Sequence, residues 1–134
     1  MTTIDRNNAP HYTWGAGCDG WHLVVAPTLS IIQERMPPGS SEVRHIHASA
    51  RQFFFLLDGT LEIELAGDVV RLGPQQGVEV PPGVAHQVHN RSPSHADFIV
   101  VSQPPSHGDR VEAPAPAAPY APPGRRSGQA RHSG

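Results

Sequence analysis

The chain has 134 residues, a formal net charge of −2 and one cysteine, Cys18. This length fits a single domain with one core, and the near-neutral charge argues against a nucleic-acid partner or a charged membrane surface. One cysteine excludes an internal disulfide and a cysteine-based zinc site. The first residues contain no apolar run, so we expect a soluble, cytoplasmic protein without a membrane segment.

Short strands separated by turn residues dominate the chain after an opening segment, residues 1–20, that we expect to be irregular. Runs of β-branched and aromatic residues between Pro, Gly and Asp breakers predict about eight or nine strands, and no segment shows helical periodicity over more than two turns. The predicted strands are 21–25, 29–36, 44–47, 52–57, 61–65, 69–72, 77–80, 86–90 and 97–102. Asp58-Gly59 predicts a hairpin turn between two of them. This pattern indicates an all-β sandwich or barrel.

The composition changes near residue 111. A segment rich in Pro and Ala is followed by one rich in Arg, Ser and Gly. Such a segment buries too little apolar surface to order itself, so we predict that residues 111–134 form a disordered tail. The predicted organisation is an irregular arm over residues 1–20, a β-domain over residues 21–110, and this tail.

Three histidines and a glutamine are candidates for a metal site. His45 and His47 are two positions apart, and side chains at that spacing point to the same face of a strand. His86 begins a later predicted strand, and it can reach the same point if that strand lies beside the first. Gln52 follows on the next strand and can supply an amide oxygen. First-row divalent metals bind such converging nitrogen and oxygen ligands at about 2.0–2.2 Å.

Two spaced motifs resemble those of the cupin family. The first reads Gly39-x5-His45-x-His47-x4-Gln52-x6-Gly59, with Gln52 where the family usually has Glu. The second reads Pro81-x-Gly83-x2-His86-x3-Asn90, and Gln75 occupies the place of its leading Gly. Together the motifs span residues 39–90, and the strand pattern extends the resemblance over about residues 21–104.

The resemblance implies a single-domain cupin, which is an antiparallel double-sheet jelly-roll barrel, usually dimeric, with a metal in its mouth. The implied cofactor is a divalent transition metal (zinc, nickel, manganese or iron) held by His45, His47, Gln52 and His86. A neutral Gln ligand leaves such a site with two net positive charges instead of one. We therefore expect a stronger Lewis acid that prefers an anionic, oxygen-rich small molecule.

The predicted function is Lewis-acid catalysis of isomerase, lyase or cyclase type on a small oxygenated anion. An iron-dependent dioxygenase and a non-catalytic ligand-binding protein remain alternatives. Gln33 and Arg35 share one face of their strand. If that face is interior, Arg35 binds a substrate carboxylate and Gln33 orients it; if it is exterior, both lie at an interface or in water. No interior residue stands out as a general base.

Three consecutive phenylalanines follow Gln52. Phe54 shares the face of Gln52 and is expected to line the cavity. Phe53 and Phe55 then face outward, where two large apolar side chains indicate a packing or dimer surface. We expect a homodimer.

Overall fold

The computed structural model describes residues 2–115. The predicted disordered tail, residues 111–134, starts too early, because Val111–Glu112 form a strand that pairs with residues 45–46. The rest of the tail from residue 116 onward lies outside the described residues. All regular elements of the described part are strands, so it contains no helix that could cross a membrane. The eleven strands are β1 (His11–Trp14), β2 (Cys18–Ala26), β3 (Leu29–Met36), β4 (His45–Ile46), β5 (Arg51–Asp58), β6 (Leu61–Leu65), β7 (Asp68–Leu72), β8 (Gly77–Val80), β9 (His86–His89), β10 (Ala96–Gln103) and β11 (Val111–Glu112).

The strands form two antiparallel sheets. One has six strands in the order β1-β2-β3-β10-β5-β8, and the other has five in the order β11-β4-β9-β6-β7. Every pair of neighbours is antiparallel. The predicted all-β, double-sheet architecture is confirmed.

The core is built by the period-2 alternation of side chains on both sheets. In β5, Phe54 and Leu56 are buried, while Phe53, on the opposite face, is 41% exposed. In β6, Leu61 and Ile63 are buried on the facing sheet. Each fully buried side chain of this kind stabilises the fold by about 1.5–3 kcal/mol. The alternating apolar positions of β5 and β6 therefore mark the interior.

The opening segment differs from the prediction of an irregular arm. Residues 11–14 form β1, which pairs with β2, and β2 begins at Cys18 rather than at residue 21. The turn between them uses Gly15 and Gly17, both with positive φ, a conformation that glycine adopts without steric cost. Since β1 has only four residues and mixes polar with aromatic side chains, its sequence alone did not stand out as a strand.

The Asp58-Gly59 turn joins the two sheets instead of making a hairpin. β5 pairs with β8 and β10, whereas the next strand, β6, pairs with β7 and β9. Gly59 has a φ of 89°, and a Cβ added there would lie 2.4 Å from the carbonyl oxygen of His95. The dipeptide is a turn as predicted, but long-range pairing decides which strands it connects.

Candidate metal centre

Adjacent strands of the five-stranded sheet bring the three predicted histidines together. His45 in β4 lies directly opposite His86 in β9, and their ring centroids are 4.4 Å apart. His47 follows β4, with its ring centroid 4.7 Å from that of His45 and 5.3 Å from that of His86. One nitrogen from each ring lies within 4.8 Å of the other two. This spacing suits a single ion bound between three imidazoles.

A backbone carbonyl orients each of the three rings. The Nδ1 atom of His45 donates to Val43 O at 2.7 Å, that of His86 donates to Val84 O at 2.9 Å, and that of His47 donates to Asp109 O. A hydrogen bond at Nδ1 fixes the tautomer and leaves Nε2 as the lone-pair nitrogen. The Nε2 atom of His86 is buried without a hydrogen-bond partner among the described residues. A bound cation would satisfy it.

Gln52 supplies a fourth donor atom to the same cavity. Its side chain is buried in β5, and its Nε2 donates to the Ser102 hydroxyl oxygen at 3.0 Å across the β5–β10 pair. This bond leaves Oε1 as the free end of the amide, and Oε1 is buried without a partner in the described residues. Because a buried unpaired oxygen is costly, its place in the cavity that His45 and His47 also line fits a divalent metal site.

Burial keeps two of the imidazoles neutral. It lowers the pKa of His45 to about 3 and that of His86 to about 4, since the imidazolium form loses hydration inside the barrel. Both rings are therefore uncharged near pH 7. A neutral ring is the form that binds a metal.

The site opens into a cavity of about 210 Å³ between the two sheets. Phe54 lines the cavity, as predicted, and forms its apolar wall together with Trp14, Ile32 and Val100. The volume lies below the roughly 300 Å³ at which pockets for drug-sized ligands begin. The cavity fits a small molecule or the reacting end of a larger one.

Two carboxyl groups, on Glu34 and Glu42, line the cavity, although no interior acid was predicted. Burial raises the pKa of Glu34 to about 7 and that of Glu42 to about 8. The Tyr12 hydroxyl donates to Oε2 of Glu34 at 2.9 Å, and the backbone N–H of Val88 donates to Glu42 at 3.1 Å. Ile32 and Glu34 are two positions apart on β3, so they share a face. The sequence does not show whether that face is interior, which is why Glu34 could not be predicted to line the cavity.

Tyr12 reaches Glu34 because β2 has a glycine beneath its ring. A Cβ added to Gly20 would lie 2.2 Å from the nearest ring carbon of Tyr12. The ring therefore lies directly on the backbone of β2, with its hydroxyl against the carboxylate on β3. The short β1 strand, absent from the sequence prediction, builds this part of the site.

The structure does not bring Gln33 and Arg35 to the cavity. Ile32 and Glu34 point inward from β3, so the alternate residues Gln33 and Arg35 face the other side of the sheet. Arg35 forms an ion pair there with Asp97 at 2.8 Å. Of the two alternatives left open by the sequence, the exterior one holds, and the role proposed for Arg35 as a carboxylate ligand has no support from its position.

Residues 104–114, here called the C-terminal strap, close one side of the site. The Asp109 carboxylate accepts hydrogen bonds from the backbone N–H groups of Ala48, Ser49 and Ala50 at 2.8, 2.9 and 2.9 Å. These bonds lower the pKa of Asp109. The strap then runs along β4 as β11 and brings Ser106 and Arg110 to the cavity. The strap thus orients the ring of His47 and lines the cavity that also contains His45 and Gln52.

Glu34→Gln should change stability in a pH-dependent way. Because the pKa of Glu34 is raised from 4.5 to about 7 in the folded protein, the unfolded chain loses this proton first as the pH rises. The carboxyl therefore costs stability progressively between about pH 4.5 and 7, and the full cost persists above that range. A Gln cannot ionise, so we expect the variant to gain about 1–3 kcal/mol relative to the wild type between pH 4 and pH 8.5. Urea unfolding of the metal-free proteins at both pH values measures this, and a pH-independent difference would contradict it.

The family model described as the cupin domain matches residues 32–102. The tetracenomycin polyketide synthase protein TcmJ of Streptomyces glaucescens is 31% identical over 89 residues, which cover 62% of this chain and 60% of TcmJ. The polyketide synthase protein CurC of Streptomyces cyaneus is 30% identical over 86 residues, covering 61% of this chain and 55% of CurC. The chain therefore spans less than two thirds of either relative.

Solved structures share the fold at lower identity. The polyketide cyclase RemF from Streptomyces resistomycificus superposes with a TM-score of 0.69 and 18% identity, covering 77% of this chain and 79% of RemF. KdgF from Halomonas sp. superposes with a TM-score of 0.72 and 19% identity, covering 80% of this chain and 98% of KdgF. At such identities the likeness establishes the barrel and not the reaction.

Proposed function

The chain belongs to the cupin family, and on that basis we propose that it is a metal-dependent enzyme acting on a small oxygenated anion. The proposed reaction is a Lewis-acid-assisted isomerisation, elimination or cyclisation. The observation that carries the proposal is a cluster of three imidazoles, each with Nδ1 bonded to a backbone carbonyl. Two of them, His45 and His47, line one cavity with Gln52, whose amide oxygen has no partner among the described residues.

His45, His47, His86 and Gln52 would hold a divalent zinc, nickel, manganese or iron ion. All four groups are neutral donors, so none of them offsets the charge of the ion. When bound, the metal would supply Lewis acidity to a substrate carbonyl or hydroxyl oxygen. A ligand with a negative oxygen would then be favoured over a neutral one.

Glu34 is the residue that we propose for proton transfer. A pKa of about 7 puts its carboxyl close to half ionised near neutral pH, which suits a group that must both accept and return a proton. The Tyr12 hydroxyl holds one carboxyl oxygen, and Gly20 leaves room for the Tyr12 ring. The apolar side chains of Trp14 and Phe54 line the same space and limit the entry of water.

The substrate class that we favour is an enolisable carbonyl compound of polyketide type. Two relatives at 30–31% identity are polyketide synthase proteins, and a structural neighbour is a polyketide cyclase. Proton removal next to a carbonyl is a step that isomerisation, elimination and ring closure have in common. With about 210 Å³ available, only the reacting end of a multi-ring molecule would enter, and the rest would extend through the mouth.

We also propose a homodimer. Phe53 is 41% exposed on the outer face of β5, and its ring stacks with that of Phe55 at a centroid distance of 6.2 Å. Such a pair is a suitable centre for an apolar interface. Sedimentation equilibrium should give twice the chain mass, and a monomer at micromolar concentration would contradict the dimer.

The function is tested by incubating metal-loaded protein with small hydroxy acids, oxo acids and β-dicarbonyl acids under nitrogen and under air. We expect conversion of at least one compound without consumption of dioxygen, detected by NMR, and its loss after chelation of the metal. Conversion by metal-free protein would contradict the proposal. Stoichiometric oxygen uptake would favour the iron-dioxygenase alternative, and binding without conversion would favour a ligand-binding protein.

A further inference from the structure

Arg110 differs from the other arginines of residues 2–115 because it forms no ion pair with a described carboxylate. Each of the others has a carboxylate oxygen within 4.0 Å; they are Arg6, Arg35, Arg44, Arg51, Arg71 and Arg91. No carboxylate of the described residues lies that close to Arg110. Its polar contact is a long one, from Nη2 to Val43 O at 3.4 Å. A guanidinium with five donors is thus left largely unpaired.

This free guanidinium lies in the same cavity as the candidate metal ligands. Arg110 lines the cavity together with His45, His47 and Gln52. Its positive charge favours the ionised form of Glu34, yet the Glu34 carboxyl bonds to Tyr12 instead of to Arg110. Arg110 is therefore available to a ligand that enters the mouth.

Hydrogen bonds of the neighbouring strap residues fix the backbone at Arg110, beginning with Asp109, which directly precedes it. The Asp109 carboxylate is fixed by three backbone N–H groups, and its carbonyl oxygen accepts a hydrogen bond from His47. On the following side, Ala113 N–H donates to Arg44 O at 2.9 Å. The backbone around Arg110 is thus tied to the loop and strand that carry the histidines. A cation held in this way is pre-organised for binding.

We propose that Arg110 binds a carboxylate of the substrate, so that the ligand is an acid with its carboxylate at the strap and a second oxygen at the histidines. This rests on the proposed function of the site and specifies its substrate class. Arg110 is exposed at the mouth of the cavity, where a ligand can reach it. A guanidinium forms paired, charge-assisted hydrogen bonds with a carboxylate. The role that the sequence suggested for Arg35 thereby passes to Arg110 on the strap.

The test is a double-difference cycle, measured by calorimetry on zinc-loaded protein, that compares the binding of a diacid and of its half-amide to the wild type and to Arg110 variants. Malonate, succinate and glutarate place a second carboxylate at increasing distance from the first, and each is paired with its half-amide, which lacks that charge. We expect Arg110→Gln to weaken the best-bound diacid about tenfold or more relative to its half-amide. Arg110→Lys should retain part of the preference. Arg71→Gln, which removes an exposed arginine bound to Glu62, should leave both affinities unchanged.

Several outcomes would overturn the proposal. Equal loss of diacid and half-amide in Arg110→Gln would mean that no carboxylate pairs with this residue, and so would unchanged binding of both. Thermal unfolding verifies that the variant is folded. A wild-type protein that retains no zinc would contradict the proposed function instead, and the same cycle on metal-free protein would still show whether Arg110 recognises the second carboxylate.

Discussion

Replacing His86 with Ala should lower the affinity for the metal by two orders of magnitude or more. Even the groups that orient metal ligands contribute about 10–100-fold to affinity, and His86 is itself a proposed ligand. Its side chain is fully buried, its Nδ1 is held by Val84 O, and its Nε2 has no partner among the described residues. Among the described residues, no other His, Cys, Asp or Glu belongs to this cluster of three histidines.

Metal content after dialysis and the stabilisation by added zinc give two independent readings of this prediction. A metal at 100 times its dissociation constant stabilises the folded protein by about 2.7 kcal/mol. We expect this gain in the wild type and its loss in His86→Ala. His95→Ala removes an exposed histidine and should keep both the metal and the gain. Wild-type metal content in His86→Ala would remove this residue from the ligand set.

Glu64→Ala should reduce the free energy of unfolding by about 3–5 kcal/mol, because it leaves the charge of Arg44 buried and unpaired. Both side chains are nearly inaccessible, with 10% and 3% exposure, and two hydrogen bonds of 2.7 and 3.0 Å join them. Glu64 also accepts the N–H of Gly67 at 2.6 Å. The pair ties β6 to the residue that precedes His45, so its loss should disturb the metal centre as well.

A matched exposed pair serves as the control. Arg51 and Glu79 form an ion pair in which both side chains are about half exposed, and Glu79→Ala should cost less than 1 kcal/mol. Burial raises the pKa of Glu64, but the bonds from Arg44 and Gly67 outweigh it and lower the pKa below 4.5. The contribution of this carboxylate is therefore present above pH 4.5 and lost as the pH falls below it. A cost for Glu64→Ala as small as that of Glu79→Ala would contradict this account.

Local pattern was sufficient for most of the fold. The strands with a run of alternating or continuous apolar residues, such as β3, β5 and β10, were predicted within one or two residues of their bounds. β1 was missed because four residues contain too little alternation to distinguish strand from coil. The pairing after Asp58-Gly59 was wrong because a turn dipeptide does not specify which sheet receives the next strand.

Some residues of the candidate site could likewise be predicted from local sequence, and others depend on how the sheets assemble. The clustering of His45, His47 and His86 could be predicted because two spaced motifs contain them, and their role as metal ligands with Gln52 stays a prediction. Glu34 could not, since a single Glu on β3 gives no sign of which face is interior until the sheets are assembled. The same ambiguity affected Arg35, which faces outward. Arg110 lies on the strap, whose path over the cavity depends on contacts of Asp109 with a loop distant in sequence.

X-ray absorption spectroscopy of the metal-loaded wild-type protein tests the central claim most directly. The account predicts a single metal with three imidazole ligands and an additional oxygen shell at about 2.0–2.2 Å. Gln52→Ala should remove oxygen from that shell and leave the three imidazoles. A metal with fewer than three imidazoles, or protein that retains no metal after purification without chelators, would contradict the assignment of this cavity as a metal centre.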